Sequence, residues 1–351
     1  MNGDADAPLA VKQLGDSAND KKRWDAFVEA CEEATFFHRA GWKAVVERSY
    51  GHDCPYLFAE QDGRIQGILP LVHINSLIFG NAIISNAFCV RGGPVAVSNA
   101  ALAALDAEAV RLAEERGVDH LEFRLKEPAH PDWLCKGDLY ANFAKAIDPD
   151  PDKNMLAIPR KQRAMVRKGI KGGLVGEIDD GIERFFRLYA ESLRNLGTPV
   201  HSKRFFQTLL EVFGDQCEIT TVVRDSVPLS TVLTFYFRDQ VLPYYGGGSP
   251  RAREHAAFDF MYWDVMRRAC EQGYRIFDYG RSKSGTGSFA FKKHWGFDPQ
   301  PLHYEYKLFR RREVPDVNPL NPKYQAFIAL WKRLPLPMAN AFGPYLARQL
   351  G

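Results

Sequence analysis

Apolar and polar positions along the chain fall into two successive runs with the same order of elements. In the first, the spacing predicts helices over 24–34 and 41–49, a strand over 56–60, a turn at 61–63 and a strand over 65–72. A further strand follows near 82–85, then the break Arg91-Gly-Gly-Pro94, a helix ending at Arg116, and a strand after Gly117. In the second run, helices are predicted over 181–193 and 202–213, with strands over 218–223, 229–237 and 241–245. The break Gly246-Gly-Gly-Ser-Pro250 then precedes a helix over 256–269, and a strand begins after Gly273. In both runs a helix stops at a glycine, the expected left-handed terminator, and an acidic residue stands five positions later: Glu122 after Gly117, Asp278 after Gly273. Several aligned elements favour duplication over chance recurrence of one helix–glycine–strand unit.

Composition narrows the class. The chain has 351 residues, with 46% hydrophobic and 25% charged residues, as in ordinary globular proteins; the length suits two domains. Lys+Arg number 46 and Asp+Glu 43, a net charge of +3, so a polyanion site must be a local patch. Six cysteines are scattered without metal-site spacing, which suggests a reducing compartment and predicts no metal centre. The first ten residues carry Asp4 and Asp6 and lack the pattern of a signal peptide. The segment 67–90 has no charged side chain apart from His73 and is long enough to cross a bilayer. Pro70, Gly80 and several Asn and Ser residues interrupt it, so two buried strands joined by a turn explain it better.

The element order resembles that of the GCN5-related N-acyltransferase (GNAT) fold, an α/β fold of mixed sheets, here in tandem. Particular stretches narrow the likeness: Phe36-Phe-His-Arg-Ala-Gly-Trp42, the basic run from Ile158 to Lys168, Leu242-Pro-Tyr-Tyr-Gly-Gly-Gly248, Phe277-Asp-Tyr-Gly-Arg-Ser-Lys283, and Phe291-Lys-Lys-His-Trp-Gly-Phe297. Over residues 35–310, and again in the tail 315–351, the chain resembles FemAB-like proteins, especially those associated with exosortase (PEP-CTERM) and exopolysaccharide systems. The resemblance implies two GNAT-like domains, 1–152 and 153–310, and a helical tail, 311–351. It also implies a cytoplasmic N-acyltransferase acting in envelope biosynthesis, on a peptidoglycan-type peptide or an exopolysaccharide sugar. The donor would be an acyl-CoA or a charged tRNA, with no tightly bound cofactor. The long charged helical arm of classical cell-wall Fem enzymes is missing, so both donors stay open.

Acyl transfer to an amine needs a cradle for the donor's phosphates, a neutral nucleophile and donors to an oxyanion. Between Asp152 and Glu177 there are seven basic residues (Lys153, Arg160, Lys161, Arg163, Arg167, Lys168, Lys171) and no acidic one. On a helix, Arg163, Arg167 and Lys171 share one face and Gln162, Val166 and Ile170 another. This is a phosphate-binding row or a solvated linker helix. Gly280-Arg-Ser-Lys-Ser-Gly-Thr-Gly-Ser288 offers Arg281, Lys283 and Gly285 as a second anion loop, or is a plain surface loop. One of Lys292 and Lys293 is expected to face the site, where the resemblance places a donor-contacting lysine. Asp278 at a strand end and Asp259 in an apolar helix are candidate bases, with Tyr244 and Tyr245 as oxyanion donors or proton relays. Each has a plain alternative: a salt-bridged or capping carboxylate, or a core tyrosine. His255 reads as a structural histidine. The first half is expected to be a degenerate copy that shapes the acceptor groove through His38, Arg39 and Trp42.

The tail, apolar with basic edges, either packs on its own protein or lies at the inner membrane surface, where lipid-linked acceptors reside. The rival reading is a non-catalytic GNAT-fold scaffold of polysaccharide assembly, and a third is an RNA-binding protein using the basic helix.

Overall fold

The computed structural model describes residues 8–76, 80–314 and 322–351. Strand β1 (Ala10–Gln13) is followed by helices α1 (Ala18–Ala30) and α2 (Gly41–Tyr50), then by strands β2 (Leu57–Gln61), β3 (Arg64–Leu69), β4 (Leu71–Ser76) and β5 (Gly80–Ser85). Next come β6 (Val95–Ala96), α3 (Asn99–Glu115), β7 (His120–Leu125), β8 (Leu134–Ala146), α4 (Pro151–Ala157), α5 (Arg160–Lys171) and β9 (Val175–Ile178). The second run is α6 (Glu183–Leu196), α7 (Lys203–Phe213), β10 (Cys217–Arg224), β11 (Val227–Phe237), β12 (Gln240–Gly248), α8 (Ala257–Glu271), β13 (Ile276–Lys283) and α9 (Gly287–His294). Strand β14 (Gln300–Leu308) and helices α10 (Pro322–Trp331) and α11 (Leu336–Ala347) complete the order.

Two compact units result. One comprises Met1–Gly137, Leu302–Pro315 and Gln349–Gly351; the other comprises Asp138–Pro301 and Asp316–Arg348. The division falls within β8, after Gly137. Helices α10 and α11 belong to the second unit.

In the first unit the strands run β1-β2-β3-β6 in one sheet and β4-β5-β7-β14 in another. The expected strand over 65–72 is broken at Pro70, which lacks the N–H a ladder needs; β3 and β4 go to different sheets. Within the uncharged segment 67–90 the described residues up to Ser85 are largely strand, packed inside a protein with Ile68, Leu69, Leu71, Val72 and Ile83 buried. Its expected turn falls at 77–79, outside the described residues. Among the described residues no helix is long and apolar enough to cross a membrane. Ser98 caps α3 by accepting the Ala101 N–H (3.2 Å), and α3 ends before Gly117 at φ +59°. Leu105, Ala109 and Leu112 of α3 pack on Leu57, Leu69 and Leu121 of the sheets.

In the second unit the strand order is β8-β13-β12-β11-β10-β9. Helices cover both faces. A Cβ placed on Gly246 would meet Tyr262 of α8, and one on Gly247 would meet the Tyr189 backbone of α6; consecutive strand residues point to opposite faces. Gly246–Gly248 are therefore strand residues, not the expected loop. They are small because helices press on them: the added Cβ atoms would lie 2.8–2.9 Å from Tyr262, Tyr189 and Phe258. The core gathers Val232 and Val241 of the sheet with Met261, Val265 and Met266 of α8 and Trp295 and Phe297 beyond α9.

Candidate active site

The parallel pairing of β12 with β13 fixes the site. It consists of two residue pairs, Gln240↔Ile276 and Val241↔Phe277. Beyond them β12 stays with β11 up to Gly248, while β13 continues against β8. The two strands part, and Asp278 is the first β13 residue past the fork.

A bulge lies at the same point. The register against β8 shifts between Asp278 (opposite Ala144) and Arg281 (opposite Asn142), and Gly280 adopts φ +66°, a left-handed conformation suited to glycine. The bulge removes main-chain groups from the ladder, and side chains take them up. The Gly280 N–H donates to Asp278 Oδ1 (2.7 Å), and the Asn142 amide donates to both Asp278 oxygens (3.1 and 3.2 Å). Lys292 Nζ donates to the carbonyls of Gly280 and Arg281, both at 2.9 Å.

Lys292 arrives there from α9, whose N-cap Thr286 accepts the Phe289 N–H (3.4 Å). The side chain is buried, 9% exposed, and its ammonium lies over the Phe143 ring at 5.5 Å. Desolvation pushes its pKa down to about 7; the Asp278 charge pulls it up and the Arg281 charge adds to the fall. Two of the three ammonium N–H groups are spent on carbonyls, which leaves one for a reacting oxygen. Arg281 and Lys283 flank the Tyr140 ring, at 4.8 and 5.7 Å from its centroid.

The remaining candidates separate. Lys293 is exposed. Gly280 to Lys283 are strand, so the expected anion loop shrinks to a turn at 284–286, where Gly285 (φ +78°) is exposed. Asp259 accepts the Trp295 indole N–H (3.0 Å); burial raises its pKa, and that hydrogen bond opposes the rise. Its observed task is to hold Trp295 at the end of α9. Tyr244 and Tyr245 sit on β12 in an aromatic cluster: Tyr245 meets Tyr189 at 6.0 Å and Phe206 at 5.4 Å, and Tyr244 meets Phe235 at 5.7 Å.

The basic run forms α5 as expected, but its buried stripe is Val166 and Gly169, with Ile170 exposed. Gly169 is pressed against Phe260 of α8, where a Cβ would lie 2.8 Å away, and that contact turns the helix. A cavity of about 500 Å³ opens on the outer face, lined by Arg160, Arg163, Ala164, Arg167, Lys168 and Lys171. Arg163 also donates to the Leu156 carbonyl (2.6 Å). Pro159, at the start of α5, abuts Gly296 just after α9, so the basic helix begins beside the element that carries Lys292.

Sequence reasoning missed Asn142, His201 and Tyr279. Packing against Phe205, Phe206 and Tyr245 desolvates His201 and lowers its pKa to about 4. The Tyr279 hydroxyl is buried with no hydrogen-bond partner among the described residues. His255, read as structural, lies with Arg224 (2.8 Å between Nδ1 and the guanidinium) and Arg251 around a cavity of about 250 Å³ before α8. No local sequence signal marks any of these; each depends on a strand or helix brought in from elsewhere.

Comparison with known proteins agrees with this architecture. Residues 159–293 match the family described as Acetyltransferase (GNAT) domain. FemX is similar in structure at TM-score 0.66 and 16% identity, over 91% of this chain and 100% of that one. The C-terminal domain of a putative lysylphosphatidylglycerol synthetase from Agrobacterium fabrum matches at TM-score 0.55 and 14% identity, over 90% of this chain and 95% of that one. A tandem GNAT protein from the clavulanic acid biosynthesis pathway matches at TM-score 0.55 and 13% identity, over 88% of this chain and 100% of that one. No curated protein matches in sequence. The chain carries a GNAT acetyltransferase-type domain over residues 159–293 and has the mixed α/β fold of tandem GNAT proteins.

Proposed function

We propose that the chain is a Fem-type N-acyltransferase of envelope or exopolysaccharide biosynthesis, of the exosortase-associated kind. It passes an acyl or aminoacyl group from an acyl-CoA or a charged tRNA to the amine of a sugar or peptide precursor, in the cytoplasm. The observation that carries this reading is the buried Lys292 beside Asp278 at the fork of β12 and β13. A buried cation with one unspent N–H is suited to stabilise the oxyanion formed when an amine adds to a carbonyl carbon. Asp278, steadied by Asn142 and the Gly280 N–H, accepts the proton the amine loses. Collapse of the tetrahedral intermediate breaks the bond to sulfur or to the ribose oxygen, and that leaving group takes the proton up. The donor is a substrate, and the basic face of α5 is the proposed seat of its phosphates.

Mass analysis of products from acyl-CoA and charged-tRNA donors, tried with amino-sugar and peptide acceptors, tests the proposal. Arg281→Ala should weaken the donor's binding, whereas Lys292→Ala and Asp278→Ala should lower turnover more than binding. Unchanged rates in all three variants would remove the site. No product, together with no thermal shift from CoA, acyl-CoA or charged tRNA, would leave the scaffold reading.

A further inference from the structure

Helices α10 and α11 present an apolar face that nothing among the described residues of the second unit covers. Their inner sides are fixed: Ile328 lies where a Cβ on Gly197 would come within 2.5 Å, and Gly343 sits against the Val200 main chain. Arg194 donates to the carbonyls of Lys332 and Leu334 at 3.5 and 3.4 Å. The outer sides form an apolar groove of about 340 Å³ lined by Phe327, Leu330, Trp331, Leu334, Phe342 and Tyr345. Leu330, Phe342 and Tyr345 are 64%, 52% and 65% exposed and lie together along one groove rather than scattered.

Charge identifies the occupant. From residue 322 to 351 the only charged side chains are Lys323, Lys332, Arg333 and Arg348, all basic. Lys332, Arg333 and Arg348 are exposed. Apolar side chains rimmed by cations suit an anionic lipid surface, where apolar burial and attraction to headgroups act together. A second copy fits poorly, because it would face an acid-free set of cations with its own.

We propose that α10 and α11 form a peripheral docking surface for an anionic bilayer, with Phe327, Leu330, Phe342 and Tyr345 entering the interface and Lys332 and Arg333 binding headgroups. The proposal does not rest on acyl transfer, and its test contains no acyl donor. Flotation of the full chain with vesicles of phosphatidylcholine alone, and of equimolar phosphatidylcholine and phosphatidylglycerol, measures it. Binding to the anionic vesicles only, weakened by salt, is expected. Lys332→Glu with Arg333→Glu should reduce it on the order of thirtyfold or more, and Leu330→Glu with Phe342→Glu should reduce it at least as much. These positions are exposed, so unchanged melting curves separate lost docking from lost folding. The proposal fails if neither vesicle binds, if either double variant binds like the parent, or if light scattering shows a dimer that Phe342→Glu dissolves.

Discussion

The two copies pair the same strands in the same sense and finish them differently. In the first, β5 and β7 run parallel over four residue pairs, Ala82↔His120 to Ser85↔Phe123; in the second, β12 and β13 hold together over two. Glu122 lies inside the first copy's ladder and is neutralised by Arg124 (2.7 Å), both side chains being buried. Asp278, at the same offset from the helix-stopping glycine, lies just outside its ladder. It is held by a neutral amide and a main-chain N–H, with the buried Lys292 near enough to feel its charge. At one duplicated position the acid is locked in a buried ion pair; at the other it accepts from an amide and a main-chain N–H beside a buried amine. Early parting of two strands, not a new motif, makes the difference.

The sharpest way to break this comparison is to exchange the fates of the two acids. Glu122→Ala breaks the buried ion pair with Arg124 and should cost about 3–5 kcal/mol in urea unfolding, with per-molecule activity of the folded fraction unchanged. Lys292→Met should do the reverse. It removes a buried charge and keeps the volume, so stability at neutral pH should hold or rise, while turnover falls on the order of 10²–10³-fold. A Glu122→Ala variant that folds as well as the parent, or a Lys292→Met variant with parental turnover, would undo the assignment of roles.

Stability against pH should also separate the copies, by sign. Burial lowers the His130 pKa in the first unit, but hydrogen bonds to Asp106 (3.2 Å) and Glu305 (2.6 Å) outweigh it and raise the pKa to about 9. A raised histidine pKa stabilises the fold while the ring is charged. That contribution, about 1–2 kcal/mol, is complete below pH 6.5 and disappears as pH rises through about 9. Lys292 goes the other way: its pKa falls from 10.5 to about 7, so the unfolded chain binds the extra proton between those values and stability rises with pH there. His130→Gln should remove the first slope and Lys292→Met the second, as read from denaturant midpoints across pH 6 to 10.

Much of the fold was legible because its signals are local. Gly117 and Gly273 do stop helices at φ +59° and +90°, and the hairpin turns fall where polar residues interrupt apolar runs. The errors came where a neighbour decides. Gly246–Gly248 look like a loop until α6 and α8 are seen pressing on them. Spacing places Gln162, Val166 and Ile170 on one face of α5, yet α8 meets the helix at Gly169 and leaves Ile170 exposed. At the site, Asp278, Arg281 and Lys292 were readable as residues, and the structure brings them to one bulge. Asp259 was not separable from Asp278 in sequence, because only packing shows its oxygen on the Trp295 indole. Asn142 reaches the site from β8, 136 residues earlier, and carries no signal of its own.

The smallest expected effect concerns the basic face of α5, which has no counterpart among the described residues of the first copy. Arg167 lines its cavity, whereas Arg163 also braces the Leu156 carbonyl, so Arg167→Ala is the cleaner probe. If charged tRNA is the donor, this substitution should weaken its binding a few-fold, and the slope of log affinity against log salt should fall by about one, because one fewer counterion is released. An acyl-CoA donor touches fewer phosphates and should show a shallower slope from the start. Equal affinity and slope in parent and variant would return α5 to a solvated linker and leave the fork of β12 and β13 to hold the donor alone.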